Sequence, residues 1–497
     1  MPKTVLMASS HRTATLPSAA GARGWLVGGK LLALALGAFV CTDAFPDPDL
    51  WGHLRFGLDT VSGHLSRIDP YSFTQDRPWI NHEWLSEAAM ALAYRAGGVT
   101  GLLLLKSAVI GLALLTMASA MRSAPRTVRW WLLGLAAVAI TPGAFTIRPQ
   151  IWTVLAVPIL WQLLNGPRPI LIPLLFALWT NLHGGWIVGV GIGFLWLMGR
   201  TLDLRRPDLR RAVALALGVG ATLLNPYGWG LWRFLLSTVR VSRDITEWKP
   251  VWQQSEPTAL IVWSLVMLAV VIAFVRRRVS PAWSAALPIL GLSFMGAMVS
   301  RLLPIFGEVA VLGLAQTWRH GAPVETEPAS VRSPRASTML GVDLALVAAV
   351  ALANLIPQSR CFRVDQSWTP DRPAAAALEA SGARGRLVVP FEWGEYAIWH
   401  LGPGLRVSVD GRRETVYSAR VVTEQLSAAH GGDEGLRWLS RERPEYLWLA
   451  LPAADRTASW AAQHGYRIDL RTDRSFIAVR TDLPPIRTAA PAPACFP

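Results

Sequence analysis

Two short segments near the N-terminus crowd together side chains that can activate a hydroxyl or hold a hard cation. Asp47-Pro48-Asp49-Leu50-Trp51-Gly52-His53 and Trp79-Ile80-Asn81-His82-Glu83-Trp84 each place carboxylate, imidazole and indole within a few residues. Asp49, Asp47 and Glu83 are candidate general bases, and Asp49 with Glu83 could ligate a divalent cation such as Mg or Mn. Trp51, His53 and His82 would line a sugar-stacking, hydrogen-bonding surface beside them. From Asp43 to Glu87 the chain carries eight carboxylates (Asp43, Asp47, Asp49, Asp59, Asp69, Asp76, Glu83, Glu87) and three arginines, a net of −5 in a protein of +15. An outside loop that merely avoids positive charge explains the sign but not the imidazoles and indoles.

Other polar residues join these if the chain crosses a membrane as its hydropathy implies. Arg148 and Gln150 in Ile-Arg-Pro-Gln, His183 in Asn-Leu-His-Gly-Gly, Asn225 and Tyr227 in Asn-Pro-Tyr-Gly, and Arg301 all fall at span ends on one side. Each alone also suits a helix cap or turn. Their common side argues for substrate binding, with Arg148 or Arg301 stabilising a phosphate leaving group.

The elements that must position them follow from composition. The 497 residues are 52% hydrophobic and 16% charged, with mean hydropathy +0.33, too apolar for an ordinary soluble domain. Apolar runs predict a polytopic α-helical membrane protein of about 11 spans: 25–42, 98–120, 130–147, 149–164, 169–182, 185–199, 212–225, 257–275, 281–298, 302–318 and 338–356. With a cytoplasmic N-terminus, the inside segments hold 18 Lys and Arg in 75 residues and the outside segments 9 in 87, as the positive-inside rule requires. The charge of +15 is therefore a topology signal and does not imply nucleic acid. No Gly-x4-Gly-Lys-Ser/Thr loop is present, so nothing supports a built-in ATPase.

Three segments result: a cytoplasmic tail 1–24, a transmembrane domain 25–356 with its first outside loop at 43–86, and a C-terminal extracytoplasmic α/β domain 357–497. The tail lacks a signal-peptide pattern, so the first span is expected to remain as an anchor. Charged residues rise from 13% before residue 357 to 24% after it. In the last part, strand-like runs at 386–390, 405–409, 446–451 and 475–480 alternate with helical stretches at 373–381, 418–428, 434–441 and 454–464. Glu392, Trp393, Asp410 and Arg412 follow two of these strands, where α/β sheets bind ligands. Cys361 and Cys495 flank this domain in a compartment that permits oxidation, which predicts a disulfide between them.

On these residues the chain resembles the bacterial C-type (GT-C) integral membrane glycosyltransferases. The resemblance rests on a long first outside loop with Asp47-Pro48-Asp49-Leu50-Trp51 near its start, followed by Asp69-Pro70-Tyr71-Ser72 and Trp79-Ile80-Asn81-His82-Glu83-Trp84-Leu85. It implies transfer of a sugar from a polyprenyl-phosphate-linked donor to a glycan, lipid or protein acceptor on the outer face of the bacterial inner membrane. Asp49 matches the family's loop acid best and Asp47 next. Glu392-Trp393-Gly394-Glu395-Tyr396 is loosely similar to the acceptor motif of oligosaccharyltransferase catalytic subunits, in a different order. Two other readings compete: a transporter or flippase built on the intramembrane charges Lys106 and Glu308, and a non-catalytic scaffold for polysaccharide assembly.

Overall fold

The computed structural model describes residues 19–238, 246–277, 282–317, 334–491 and 493–497. The tail 1–24 lies mostly outside these, as do most of the expected cytoplasmic loop 319–337 and part of the one at 276–280.

Thirteen helices come first: α1 (Ala19–Thr42), α2 (Leu50–Val61), α3 (Trp84–Ala120), α4 (Arg126–Ala144), α5 (Ile151–Asn165), α6 (Ile172–Leu182), α7 (Trp186–Leu204), α8 (Leu209–Ala221), α9 (Trp229–Thr238), α10 (Thr258–Arg277), α11 (Trp283–Met298), α12 (Leu303–Gln316) and α13 (Pro334–Arg360). Each of the eleven expected spans falls on one of them. Five stretches are long and apolar enough to cross a membrane by length and composition: Gly24–Thr42, Trp84–Ala120, Trp186–Leu204, Thr258–Val275 and Met339–Arg360. Ile151–Asn165, Pro169–Leu182 and Trp283–Met298 are shorter apolar helices.

Packing explains the local sequence. α3 breaks at Gly97 and Gly98, where Gly98 takes φ +57, a left-handed conformation that glycine adopts without steric cost. The part before the break packs on α2; the part after it carries the span expected from residue 98. Every residue of α12 is buried, as its apolar character on all sides requires. Gly307 lets α4 approach it, since a Cβ there would lie 2.2 Å from that of Ala139. Lys106 in α3 is buried, and its ammonium donates to the backbone carbonyls of Val40, at 2.9 Å, and Asp43. It thereby satisfies the carbonyl end of α1, which accounts for the charge without transport. Glu308 in α12 is buried with no hydrogen-bond partner on either oxygen, and no ion pair joins it to Lys106.

After α13 come α14 (Arg372–Ala380), β1 (Gly385–Val388), α15 (Gly394–Leu401), β2 (Leu405–Val407), α16 (Ala419–Ala429), α17 (Asp433–Glu442), β3 (Tyr446–Ala450), α18 (Asp455–Gln463), β4 (Tyr466–Arg471) and β5 (Ser475–Arg480). The sheet order is β2-β1-β3-β5-β4. β1 is parallel to β2 and β3, and β5 is antiparallel to β3 and β4. The expected strands and helices are present within a few residues. β4 and α15 were not expected: in β4, Tyr-Arg-Ile-Asp-Leu-Arg alternates charge with apolar residues on an edge strand. Cys361 and Cys495 form a disulfide that ties the start of this region to its end.

The first loop is docked on this sheet. Its residues 71–73 run along the β2 edge, with the Val407 amide donating to the Tyr71 carbonyl at 3.0 Å and the Phe73 amide to the Val407 carbonyl at 3.1 Å. Beside that edge, the Arg412 guanidinium donates to Asp69 at 2.8 and 3.0 Å and to Asp410 at 2.8 and 2.7 Å. Tyr417 donates to Asp410 at 2.6 Å. The rings of Phe56, Tyr71 and Trp79 surround the guanidinium at 4.8–5.2 Å. Arg412 and Asp410, expected at a ligand-binding loop, are instead paired with each other and with Asp69 in this buried clamp. Burial is outweighed by Arg412 in setting the Asp410 carboxyl below its ordinary range. Arg412→Met should strand two buried carboxylates and cost about 3–5 kcal/mol, seen as a lower unfolding temperature in detergent and early proteolysis of the 43–86 loop.

Candidate active site

The N-terminus of α2 sets the two leading carboxylates. Asp47 Oδ1 accepts the Asp49 backbone amide at 2.9 Å, a local turn typical of Asp before Pro. Both acids therefore sit at the positive end of the helix. Arg148, from the turn between α4 and α5, joins them: its Nε lies 2.7 Å from Asp47 and its Nη2 2.8 Å from Asp49. Its Nη1 is 3.6 Å from Glu247, and the same Glu247 oxygen accepts from Arg301 at 2.8 Å. Asp49, Arg148, Glu247 and Arg301 thus form one alternating row of charge. Asp49 is 28% exposed and Arg301 31%, whereas Asp47 is buried. Burial lifts the Asp47 carboxyl above its usual range even beside Arg148. The three acids hold the Arg148 guanidinium more firmly protonated than usual, against the burial that opposes its charge.

A second cluster adjoins the row. Glu83 Oε1 lies 3.6 Å from His183 Nε2 and 3.7 Å from His82 Nε2. His183 Nδ1 is 2.7 Å from the Thr153 hydroxyl and accepts the Gly185 amide at 3.1 Å, while Trp179 donates to Thr153 Oγ1 at 2.9 Å. That network leaves Nδ1 as the acceptor and assigns the ring proton to Nε2, facing Glu83. Burial pulls His183 down to about 4, so it is neutral at pH 7. Burial alone would raise the Glu83 carboxyl; the surrounding histidines and Arg301 outweigh it and hold Glu83 below its ordinary range. His53 Nδ1 meets Glu87 at 3.1 Å, and Asn81 donates to the other Glu87 oxygen at 2.6 Å. Opposing its burial, Glu87, Glu83 and Asp49 raise His53.

The C-terminal region closes the site with Glu395, a residue the sequence reading did not single out. It is 3% exposed, and its Oε2 accepts the Gly52 amide at 3.1 Å. A Cβ on Gly411 would stand 2.4 Å from Asp49 Oδ1 and 2.7 Å from Glu395 Oε1, so Gly411 leaves room for two carboxyls to approach each other. Burial, then Asp49 and Asp410, drive the Glu395 carboxyl well above its usual range. Two carboxyls whose surroundings push them apart in this way are the arrangement that separates acid from base roles. Glu247 was also missed; its only signal was an acid beside Trp248 in a basic outside segment.

Other expected site residues lie elsewhere. Trp51 is buried against Trp368, Tyr396 and Phe496, and so offers no stacking face to the Asp49 site. Asn225 is a turn residue, accepting the Tyr227 amide at 2.8 Å and donating to Thr222 at 2.7 Å. The Tyr227 hydroxyl accepts the Asn81 amide at 3.0 Å and so holds the Glu83 segment in place. Gln150 caps α5 and contacts Thr146. Trp393 is buried on Trp448 and donates to the Trp368 carbonyl, while Glu392 is exposed. Among the described residues no group of three or more His, Cys, Asp or Glu is arranged to hold a metal ion. Asp47 and Asp49 share Arg148, and Glu83 is separately faced by imidazoles, so the present geometry does not fit the expected Asp49–Glu83 cation.

No protein-family model and no curated protein matches this sequence. Solved structures match its fold. The chain is similar to ArnT from Cupriavidus metallidurans in the apo state at 16% identity and TM-score 0.53, covering 92% of this chain and 98% of that one. It is similar to the Archaeoglobus fulgidus oligosaccharyltransferase tethered with an acceptor peptide containing the NVT sequon, at 11% identity and TM-score 0.52, over 93% and 74% of the two chains. The complex of that enzyme with Zn and sulfate matches over the same shares at 12% and 0.50. The chain thus shares its fold, at a distance, with ArnT and with that oligosaccharyltransferase.

His183 yields a pH test. Its folded value lies below its unfolded value of roughly 6.5, so the unfolded state takes up the proton first on acidification. Stability is then full above about pH 6.5 and falls as pH drops toward 4, by about 3 kcal/mol at most. Unfolding temperatures of His183→Gln in detergent should show a flatter dependence over that window than the parent.

Proposed function

We propose that the chain is a multi-pass glycosyltransferase of the bacterial inner membrane. It would move a sugar from a polyprenyl-phosphate-linked donor to an envelope glycan, lipid or protein acceptor on the outer face. The proposal includes eleven crossings, a cytoplasmic N-terminus and an extracytoplasmic region from residue 357. The observation that carries it is the row Asp49–Arg148–Glu247–Arg301, a partly exposed base next to two arginines. The fold likeness to glycosyltransferases supports the same reading.

In this mechanism Asp49 takes the proton of the acceptor hydroxyl as its oxygen attacks the anomeric carbon. The carbon–oxygen bond to the phosphate breaks, and the polyprenyl phosphate leaves with the bonding pair. Arg148 and Arg301 stabilise that developing charge. Before substrate binds, Asp49 and Glu247 occupy the two guanidinium groups; the donor's phosphate would replace them and free Asp49 to act as base. Glu83, kept ionised between Arg301 and the imidazoles, would orient the sugar hydroxyls. No step is routed through a metal ion.

Asp49→Asn keeps the shape of the α2 cap and removes the base. Transfer from a lipid-linked donor in reconstituted vesicles should fall by at least about 10²-fold, with the unfolding temperature near that of the parent. Unchanged transfer would remove Asp49 from the mechanism. Gly411→Ala should impair the same assay by displacing Asp49 or Glu395, with a drop of about tenfold or more; a normal rate would show that the two carboxyls need no close approach.

A further inference from the structure

A cavity of about 310 Å³ opens between α14, α15 and residues 489–490 and 493–497, and no residue of the charged row or of the Glu83 cluster lines it. Trp51, Tyr396 and His400 form its aromatic wall. Tyr396 and His400 have ring centroids 4.2 Å apart, and Trp51 stands 5.2 Å from Tyr396. The space exists because the facing positions are small: Ala376 and Ala380 on α14, with alanines and prolines opposite.

Two polar atoms of that wall are orphaned. Trp51 Nε1 and His400 Nε2 are buried without a hydrogen-bond partner, and Trp51 is 1% exposed. A buried donor left unpaired costs about 1–3 kcal/mol, so such groups call for an explanation in a ligand or a water. Burial lowers His400 to about 4, so the imidazole is neutral at pH 7. Arg372 and Glu379 add one charge of each sign at the α14 side. A phosphate or nucleotide would want an excess of cations, and an apolar ligand would leave both nitrogens unpaired. The half-buried Tyr396 and His400 rings, backed by Trp51, with two unpaired neutral nitrogens suit a ring carrying hydroxyls, and the volume is at the lower end of small-molecule pockets, which start at about 300 Å³.

We infer that this cavity is a second carbohydrate-binding site that takes a neutral sugar unit of the acceptor chain, separate from the sugars that react at Asp49. The word acceptor rests on the glycosyl-transfer reading; the pocket itself does not. Its wall is continuous with the reaction site along the chain, since Trp51 follows Asp49 by two residues and Tyr396 follows Glu395 directly. An occupied pocket would hold the acceptor chain beside the base and stiffen the two helices that carry it.

The test is binding by the full chain in detergent, with maltotriose, cellotriose and chitotriose as neutral probes, followed by saturation-transfer NMR and calorimetry. At least one should bind with a Kd of about 10 mM or tighter. Ala376→Trp, which fills the cavity, should weaken binding at least about tenfold, while Asp49→Asn should leave it unchanged. Ala380→Phe at the exposed end of α14 provides the same readout should Ala376→Trp fail to fold. Absence of binding by all three probes, or equal binding by the filled variants, would overturn the inference whatever the transfer assay gives. Loss of probe binding in the filled variants together with undiminished transfer by Asp49→Asn would leave the pocket standing and sink the catalytic reading.

Discussion

The burial of one guanidinium organises the rest of this protein. Arg412 could not remain in a dry, ring-lined environment without partners, because an uncompensated buried charge is among the most unfavourable features a fold can contain. Its partners come from both halves of the chain: Asp69 from the first loop and Asp410 from the region of the sheet. The requirement to satisfy it therefore forces the 43–86 loop onto the β2 edge, where backbone hydrogen bonds from residues 71–73 complete the seam. α2 is pressed against α15 as a consequence, and the Asp49 and Glu395 carboxyls meet across Gly411.

The charged cluster around Asp49 depends on a different balance. Two arginines and several acids share a small, partly wet volume, and each ion is neutralised by a neighbour it could exchange. Arg148 is held by Asp47, Asp49 and Glu247 together. Because Asp47 is buried and Asp49 is not, an incoming anion can displace Asp49 while Asp47 keeps the arginine anchored. Even with His183 neutral, the four acids Asp47, Asp49, Glu83 and Glu247 outnumber the two arginines. An incoming anion must therefore displace an acid from a guanidinium, and the partly exposed Asp49 is the one placed to give way.

Much of this was legible in the sequence. Helix positions followed from apolar run length, and each expected span has a helix at its place, because burial in lipid or in a helical core demands the same residues. Asp47, Asp49 and Glu83 stood out by the crowding of acid, imidazole and indole around them, and Arg148, His183 and Arg301 by falling on one side; the structure brings all six into one neighbourhood. Partner choice was not legible: Asp69 and Arg412 are 343 residues apart, and no local pattern marks that pairing. That Asp410 and Arg412 pair in a buried clamp was equally hidden, because a clamp and an open ligand loop draw on the same charged residues. Lys106 looked functional for a similar reason, since a lysine that caps a helix inside the bundle has the hydropathy of a transport charge.

The separation of Asp69 from Arg412 also sets an order of assembly. Ribosomal synthesis releases the first loop while hundreds of residues are still to be made, so Asp69 is in place long before its arginine exists. The α2 segment is then untethered, and Asp49 has no Glu395 to face. Only after the chain beyond α13 has been made can the guanidinium enter its cage. The charged cluster around Asp49 is therefore among the last parts of the molecule to take shape, and a chain cut short before residue 412 has no means of completing it.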